Sequence, residues 1–426
     1  MTPFLLFASC EIVFVWPSAI YAQITELSPD AYPALVITLA FIAFLLGYLI
    51  FNRVLGYHSA MPGIFLNNGL TLTYPRKVYF FTIAAFALFL CAAGLYLYQG
   101  IPPFIKAVTG LIRGKNPQDM ISLMSEARKY ITKAHYFGGA YRGQGLIREV
   151  MSIGWPYLFA LSALICCKTK KLNWAALSCI LFAGLFIFIA GDGTRAPFLW
   201  SLIYLVIVAS LVIKLNWRSM TGVIAALFVC LTLISVASPK LYSVLGKKGA
   251  VATAGKNLAD RIFLGNGLDN IYVMEFIRSG KLQYRGGNVH LQKALNSIPG
   301  IQSGTPFSRE LNQLIHPGKK STSYSSMTYI GTIYVDFGLL GVIIVYFLLG
   351  VMIAFSELII FTRKKSLTEL PLLAFAVIYL GRMSFSGPIG FGSSFIAVYA
   401  CYLMIKFLLE VQYAALSPIK KEALEC

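Results

Sequence analysis

Charge is what this sequence has least of. Only 12% of its 426 residues are charged, against about 25% in an ordinary soluble domain. A chain that is 58% apolar, with mean hydropathy +0.72, cannot be covered by so few charges and stay a soluble globule. Acid is scarcer still: 17 Asp and Glu stand against 36 Lys and Arg, a net +19. There is no Walker loop, which argues against ATP-driven transport by this chain. There is no Asp-x-Asp pair, so the usual divalent-metal clamp for a diphosphate is missing, and no metal or other cofactor is expected. No series of intramembrane carboxylates marks an ion path, and no duplicated half of the kind many secondary transporters carry is visible. The alternation of an outer-membrane barrel is absent too. Eight cysteines occur, in or beside apolar runs except for Cys426, with neither a disulfide framework nor zinc-type spacing. They read as small buried hydrophobes.

What is there is long apolar runs. A membrane-crossing helix needs ~20 mainly apolar residues. Ten stretches qualify: 3–22, 31–51, 78–98, 151–167, 172–190, 197–213, 219–238, 331–356, 367–383 and 394–410. The expected fold is therefore all-α, a polytopic membrane protein of about ten transmembrane helices. Lys and Arg in short loops set orientation. Arg53, Arg76 and Lys77 join spans two and three; Lys168, Lys170 and Lys171 join four and five; Lys214 and Arg218 join six and seven; Arg363, Lys364 and Lys365 join eight and nine. Lys420 and Lys421 lie in the tail. Every second loop is basic, which puts both termini in the cytoplasm. Pro17 to Gln23 faintly resembles a signal-peptidase site, but the leading segment lacks Lys and Arg and Glu11 interrupts its apolar run, so an uncleaved first span is expected.

Most of the excess charge lies in two long outward connections of one membrane-embedded domain, 1–426. The first, 99–150, is net +5 and the second, 239–330, net +8, together +13 of the +19. Long loops translocate almost regardless of charge, so these residues have a plain reading as solvated or lipid-touching groups. The sharper reading is a basic cavity for an anionic substrate on the outer face. Both loops look structured. Asn116-Pro117-Gln118-Asp119 is a helix start, followed by Met120, Met124, Ala127 and Ile131 at helical spacing, an amphipathic helix. Arg261 to Ser279 carries another apolar-rich helical run, and Pro299-Gly300 ends a short one beginning at His290.

Four outward clusters hold the residues able to do chemistry: Tyr141-Arg142-Gly143-Gln144-Gly145; Gly191-Asp192-Gly193-Thr194-Arg195; Tyr284-Arg285-Gly286-Gly287-Asn288-Val289-His290; and Gly381-Arg382 with Ser384 and Ser386. Glycine lets a backbone approach a ligand, and arginine grips phosphate oxygens in a bidentate fork. Each has a structural alternative: Arg142 and Arg382 as interfacial snorkelers, Asp192 as a turn cap, Gly286-Gly287 as a turn, His290 as a helix-start residue. Asp336 and Glu357 are expected ~30 Å apart on one helix, with Glu357 paired to the Arg363–Lys365 loop.

The chain resembles the Wzy-type polymerases of O-antigen and oligosaccharide repeat units. The likeness rests on Met327 to Gly341, which contains a Tyr-x-x-Phe-Gly-x-x-Gly pattern at Tyr334, Phe337, Gly338 and Gly341, on Gly286 to Pro299 ending in Ser297-Ile298-Pro299, on Tyr141–Gly145, and on Gly193-Thr194-Arg195. The arginine-ten-residues-glycine spacing of some members occurs from Arg128 to Gly139. The topology with two long basic loops covers most of the chain; the residue likeness covers only these pieces. The resemblance implies a multispanning, GT-C-like glycosyltransferase in the bacterial inner membrane. It would join glycans carried on undecaprenyl diphosphate, alongside membrane lipids and a chain-length regulator, with no nucleic acid involved. Arg195, Arg142, Arg285 and Arg382 are then expected to bind diphosphate or acidic sugar, His290 and secondarily Asp192 to act as base, Tyr284, Tyr324 and Tyr329 to line a glycan groove, and Asp336 to orient an arginine. The rival readings are an O-antigen ligase, a flippase-type transporter of lipid-linked glycans, and a non-catalytic membrane scaffold.

Overall fold

The computed structural model describes residues 2–28, 30–55, 86–87, 89–90, 109–110, 112–114, 144–185, 195–212, 264–265, 267–296, 306–318, 325–362 and 369–388; for 144–152, 168–169, 195–199, 211–212, 361–362 and 386 it describes backbone alone. Among the described residues every regular element is helical. Three helices are long and apolar enough to cross a membrane: Pro3–Ile24, Tyr32–Val54 and Tyr329–Ile360. This is the make-up of a membrane-embedded all-α protein. The expected spans 78–98 (four residues aside), 219–238 and 394–410, and the amphipathic helix after Asn116, lie outside the described residues.

Helix α1, Pro3–Ile24, begins on a Thr2 hydroxyl that accepts the Leu5 N–H at 3.2 Å, with proline in its first turn. Its ladder widens to a π-turn over Glu11–Val15. Pro17 follows at once, and a proline has no N–H to return to the preceding turn and crowds its carbonyl, so the backbone adjusts locally. Helix α2 is Tyr32–Val54. Helices α3 (Gln144–Thr169), α4 (Leu172–Leu185) and α5 (Arg195–Val212) follow, and all three overlap expected spans. Helices α6 (Leu268–Arg278), α7 (Asn288–Asn296) and α8 (Phe307–Ile315) belong to the second long connection. Helix α9 is Tyr329–Thr362 and α10 is Glu369–Gly381, closed by a single turn, α11, at Met383–Ser386. With 13 residues α10 is ~20 Å long, short of the ~30 Å hydrocarbon thickness.

Helices α2 and α9 form the centre. They run parallel, with the Tyr32 and Tyr334 hydroxyls 3.0 Å apart near one end and the Phe51 and Phe355 rings 6.1 Å apart near the other. Two glycines let them touch: a Cβ on Gly47 would run into the Phe347 carbonyl, and one on Gly350 into the Phe44 carbonyl. Without a hydrophobic drive between helices in lipid, such close approach is what holds spans together. Helix α1 lies antiparallel to α2, Phe4 stacking on Tyr48 at 4.2 Å and Phe7 on Phe44 at 4.3 Å.

Two buried carboxylates tie α1 into this centre. Glu11 accepts from the Tyr346 hydroxyl at 3.0 Å. Glu357 accepts the Phe4 N–H at 2.8 Å and the Tyr48 hydroxyl at 2.7 Å. The expected loop partners of Glu357, residues 363–365, lie outside the described residues; within them its carboxylate caps α1 instead, satisfying an N–H that the first turn leaves open.

The described part of the second long connection packs on the start of α9. Asn270 of α6 is buried; its amide accepts the Thr328 N–H at 3.0 Å and donates to the Thr328 hydroxyl at 2.8 Å. Asp269 accepts the Ser326 N–H at 2.6 Å. Glu275 accepts from Ser28, and Arg278 pairs with Asp30, so α6 also fastens the link between α1 and α2.

Candidate functional site

The site grows from a break in α9. Gly338 has φ 66° and ψ −163°, a backbone state essentially restricted to glycine. A break here removes the in-helix partners of the carbonyls just before it. Two are taken up by the loop ahead of α7: Arg285 N–H donates to the Val335 carbonyl at 2.9 Å, and Gly286 N–H to the Asp336 carbonyl at 3.1 Å. The chain then turns through Gly286 and Gly287, at φ 57° and 92°, into α7.

Asp336 completes the join. Its Oδ1 accepts the Val289 N–H at 3.1 Å and its Oδ2 the His290 N–H at 2.9 Å, so one carboxylate caps the first turn of α7 across the fold. The same Oδ2 lies 2.5 Å from His290 Nδ1. The carboxylate side chain is fully buried and the imidazole 15% exposed. The ring stands edge-on to Tyr329 at 5.6 Å and tilted against Phe337 at 5.5 Å. A buried carboxylate on Nδ1 fixes the tautomer with the proton there and leaves Nε2 as the basic nitrogen, the arrangement of a general base with its orienting partner. Among the described residues no group bonds Nε2.

A second pair sits one turn along. Lys293 Nζ donates to the Thr332 hydroxyl at 2.8 Å, and that hydroxyl reaches the Thr328 carbonyl at 3.3 Å. Lys293 is half-buried, and burial pushes its ammonium down to about 8, with the Asp336 charge acting against that shift.

The glycine-aromatic pattern at 334–341 now has physical content. Tyr334 meets Tyr32, Phe337 packs on His290, and Gly338 breaks the helix beneath Tyr284, whose ring a Cβ would meet at 3.3 Å. Gly341 gives room to the Phe337 side chain. Tyr284 and Phe337 are 55% and 48% exposed, two aromatic faces, Phe337 beside the imidazole and Tyr284 over Gly338 next to it in sequence.

The sequence-derived candidates divide accordingly. His290, Asp336, Tyr284 and Tyr329 come together. Tyr329 is buried under His290 rather than open to a groove, and Gly387, just past α11, lies against its ring. Among the described residues Asp336 orients a histidine rather than the arginine expected of it. Arg285 joins through its backbone, while its guanidinium pairs with Glu310 of α8 and lies over the Phe307 ring at 5.8 Å. Arg382 lies elsewhere, over the Trp200 ring of α5 at 4.4 Å. Arg195 opens α5, ~7.5 Å along the axis before Trp200, and is described by its backbone alone. Arg142, Asp192 and Tyr324 lie outside the described residues, as do Arg128 and Gly139. Phe337 was marked in the sequence only as part of the glycine-aromatic pattern, and Lys293 and Thr332 were not singled out. For Lys293 and Thr332 the only advance signal is spacing: 290 and 293 share a helix face, as do 332 and 336. No group of three or more potential metal ligands occurs among the described residues.

Compared with known protein families, characterised proteins and solved structures, the chain matches none.

Proposed function

We propose that this protein is a glycosyltransferase that polymerises undecaprenyl-diphosphate-linked oligosaccharide repeat units into O-antigen or a related surface polysaccharide. It works at the outer face of the bacterial inner membrane, as a GT-C-like chain of about ten spans with both termini cytoplasmic. One observation carries the reading: a histidine ordered by a buried carboxylate, on a basic connection, where that connection seats on a long apolar helix.

The reaction follows from the groups present. The acceptor sugar hydroxyl gives its proton to His290 Nε2 as its oxygen bonds the donor's anomeric carbon. The bond from that carbon to the phosphate oxygen breaks, and its electron pair leaves with the lipid diphosphate. The imidazolium then returns the proton to water. Asp336 stabilises the imidazolium while it exists. The departing diphosphate gathers negative charge, and each preorganised cation with good geometry lowers the barrier by ~3–4 kcal/mol. Arg195, Arg142 and Arg382 are the arginines assigned to this task; Arg285 joins them when Glu310 releases it. Tyr284 and Phe337 offer faces for sugar or polyprenyl.

The test is elongation of lipid-linked repeat units by the purified protein alone, which a transporter or scaffold does not perform. In a deletion strain, single repeat units already attached to lipid A-core mark a missing polymerase; their absence marks a missing ligase and overturns the reading. His290→Ala and Arg195→Ala, at wild-type abundance, leave unpolymerised units to accumulate. Normal chain length in either removes that residue from the mechanism.

A further inference from the structure

We infer that the turn carrying Tyr284 and Leu291 is seated in the membrane interface, with these two side chains and Phe337 among the headgroups and upper acyl chains of one leaflet. The inference goes beyond glycosyl transfer and rests only on the membrane-embedded make-up of the apolar helices.

The exposed apolar faces of α2 and α9 fix the level. On α2 that face runs from Leu35 to Val54 through Ile42, Leu46 and Leu49. On α9 it is Leu340, Ile344, Leu348, Phe355 and Ile359, positions that share one side of a helix. In each, the first and last residues are 19 positions apart, or ~29 Å, against a hydrocarbon core of ~30 Å. The two faces open at one level. Leu35 is three residues past Tyr32, half-exposed Phe337 is three past Tyr334, and those two tyrosine hydroxyls meet. Before that level the surroundings change. Residues 329–336 of α9 are all buried, Thr332 and Asp336 among them, where α6 and α7 pack. The charged pair of Asp30 and Arg278 lies on this side too. Protein therefore covers α9 as far as Asp336, and lipid meets it from Phe337 on.

The turn 284–291 stands at this edge. A Cβ on Gly338 would meet the Tyr284 ring at 3.3 Å, and one on Gly287 the Phe337 ring at 3.4 Å. Leu291 N–H donates to the Gly287 carbonyl at 3.0 Å, so Leu291 belongs to the same turn. Helix α7 runs away from the membrane from here: His290 pairs with Asp336, and Lys293, further along α7, with Thr332, further back on α9. Only its first turn lies at the edge. A single exposed leucine on a soluble surface needs no explanation. Here Leu291, 57% exposed, and Tyr284 adjoin the lipid-facing side of α9 at the depth where tyrosine is favoured. That continuity names the occupant as bilayer lipid. The His290–Asp336 dyad then sits where hydrocarbon gives way to headgroups.

The experiment puts a nitroxide on single cysteines of the full chain, native cysteines replaced, in lipid nanodiscs. It compares collisions with oxygen, which concentrates among acyl chains, and with a water-soluble nickel chelate. Leu348→Cys, midway along the α9 face, is the hydrocarbon reference; Asn296→Cys, exposed at the far end of α7, is the water reference. The oxygen-to-nickel ratio at Leu291→Cys and Tyr284→Cys is expected to exceed that at Asn296→Cys several-fold and to approach that at Leu340→Cys. Leu291 is exposed, so the label there displaces little packing. The inference is overturned if Leu291→Cys gives the ratio of Asn296→Cys, which marks a solvated turn. It is equally overturned if that label is shielded from both reagents, which marks protein over it. If Leu348→Cys also meets the nickel chelate, the membrane reading falls as well; if it does not, the span stands and only the seat of the turn is lost. Chain elongation is not a readout, so the result is independent of the polymerase reading.

Discussion

Asp336 is the residue on which most depends. Replacing it with asparagine keeps the shape and one acceptor. With its NH2 toward Nδ1 the amide donates there, forces the proton onto Nε2 and loses the acceptor of the His290 N–H; with its oxygen there it sets an N–H against that of Val289 and loosens the first turn of α7. Asp336→Asn is therefore expected to lower turnover by ~10²–10⁴-fold, measured as chain elongation per unit of protein. A variant that elongates normally removes the dyad. His290 was legible in the sequence as a candidate base, and Asp336 as an isolated acid near a span end. Their meeting was not, because 46 residues separate them and only the fold joins them. Lys293 was invisible for a different reason: in a connection carrying twelve basic residues one lysine looks like any other until its surroundings are known.

At the scale of elements, the break in α9 does the positioning. Apolar length and a glycine pattern made a span expected here, and Tyr329–Thr362 is that helix. The expectation of one straight rod with carboxylates at its two ends did not allow for Gly338. A glycine within a long apolar run reads equally as a packing residue, and nothing local says that the backbone leaves the helix. Gly338→Ala puts a side chain into a glycine-only conformation and against the Tyr284 ring, at a cost of about 1–3 kcal/mol. Thermal unfolding in detergent should register it, and activity should fall with it, since the carbonyls that hold the α7 turn lie two and three residues earlier. Gly350→Leu tests a different contact. It separates α2 from α9 and should lower the unfolding temperature without altering pH dependence, because Asp336 lies more than three helical turns before Gly350, on the far side of the Gly338 break.

For the molecule as a whole, the parallel run of α2 and α9 constrains what joins them. If both cross the membrane, an odd number of crossings must lie between, and the five expected from the sequence (78–98 to 219–238) satisfy that parity. The positive charge then has a side. With the native cysteines replaced, a membrane-impermeant thiol reagent should label Lys281→Cys from the outer face and leave Lys364→Cys untouched until the inner membrane is opened. The reverse pattern would invert the topology and move the dyad to the cytoplasm. Composition alone made the membrane class legible, because no soluble surface can be built from so few charges. It could not give the site, which depends on hydrogen bonds between segments far apart in sequence.

The shared carboxylate of Asp336 has one more consequence. The group that orients the imidazole is the group that anchors the first turn of α7, so reactivity and loop order are a single cooperative property. Any influence that lifts α7 from α9, whether a variant, a protease or a partner gripping the second connection, switches the histidine off at the same moment. On the proposed mechanism no separate lid is needed to silence the base: undocking one nine-residue helix suffices.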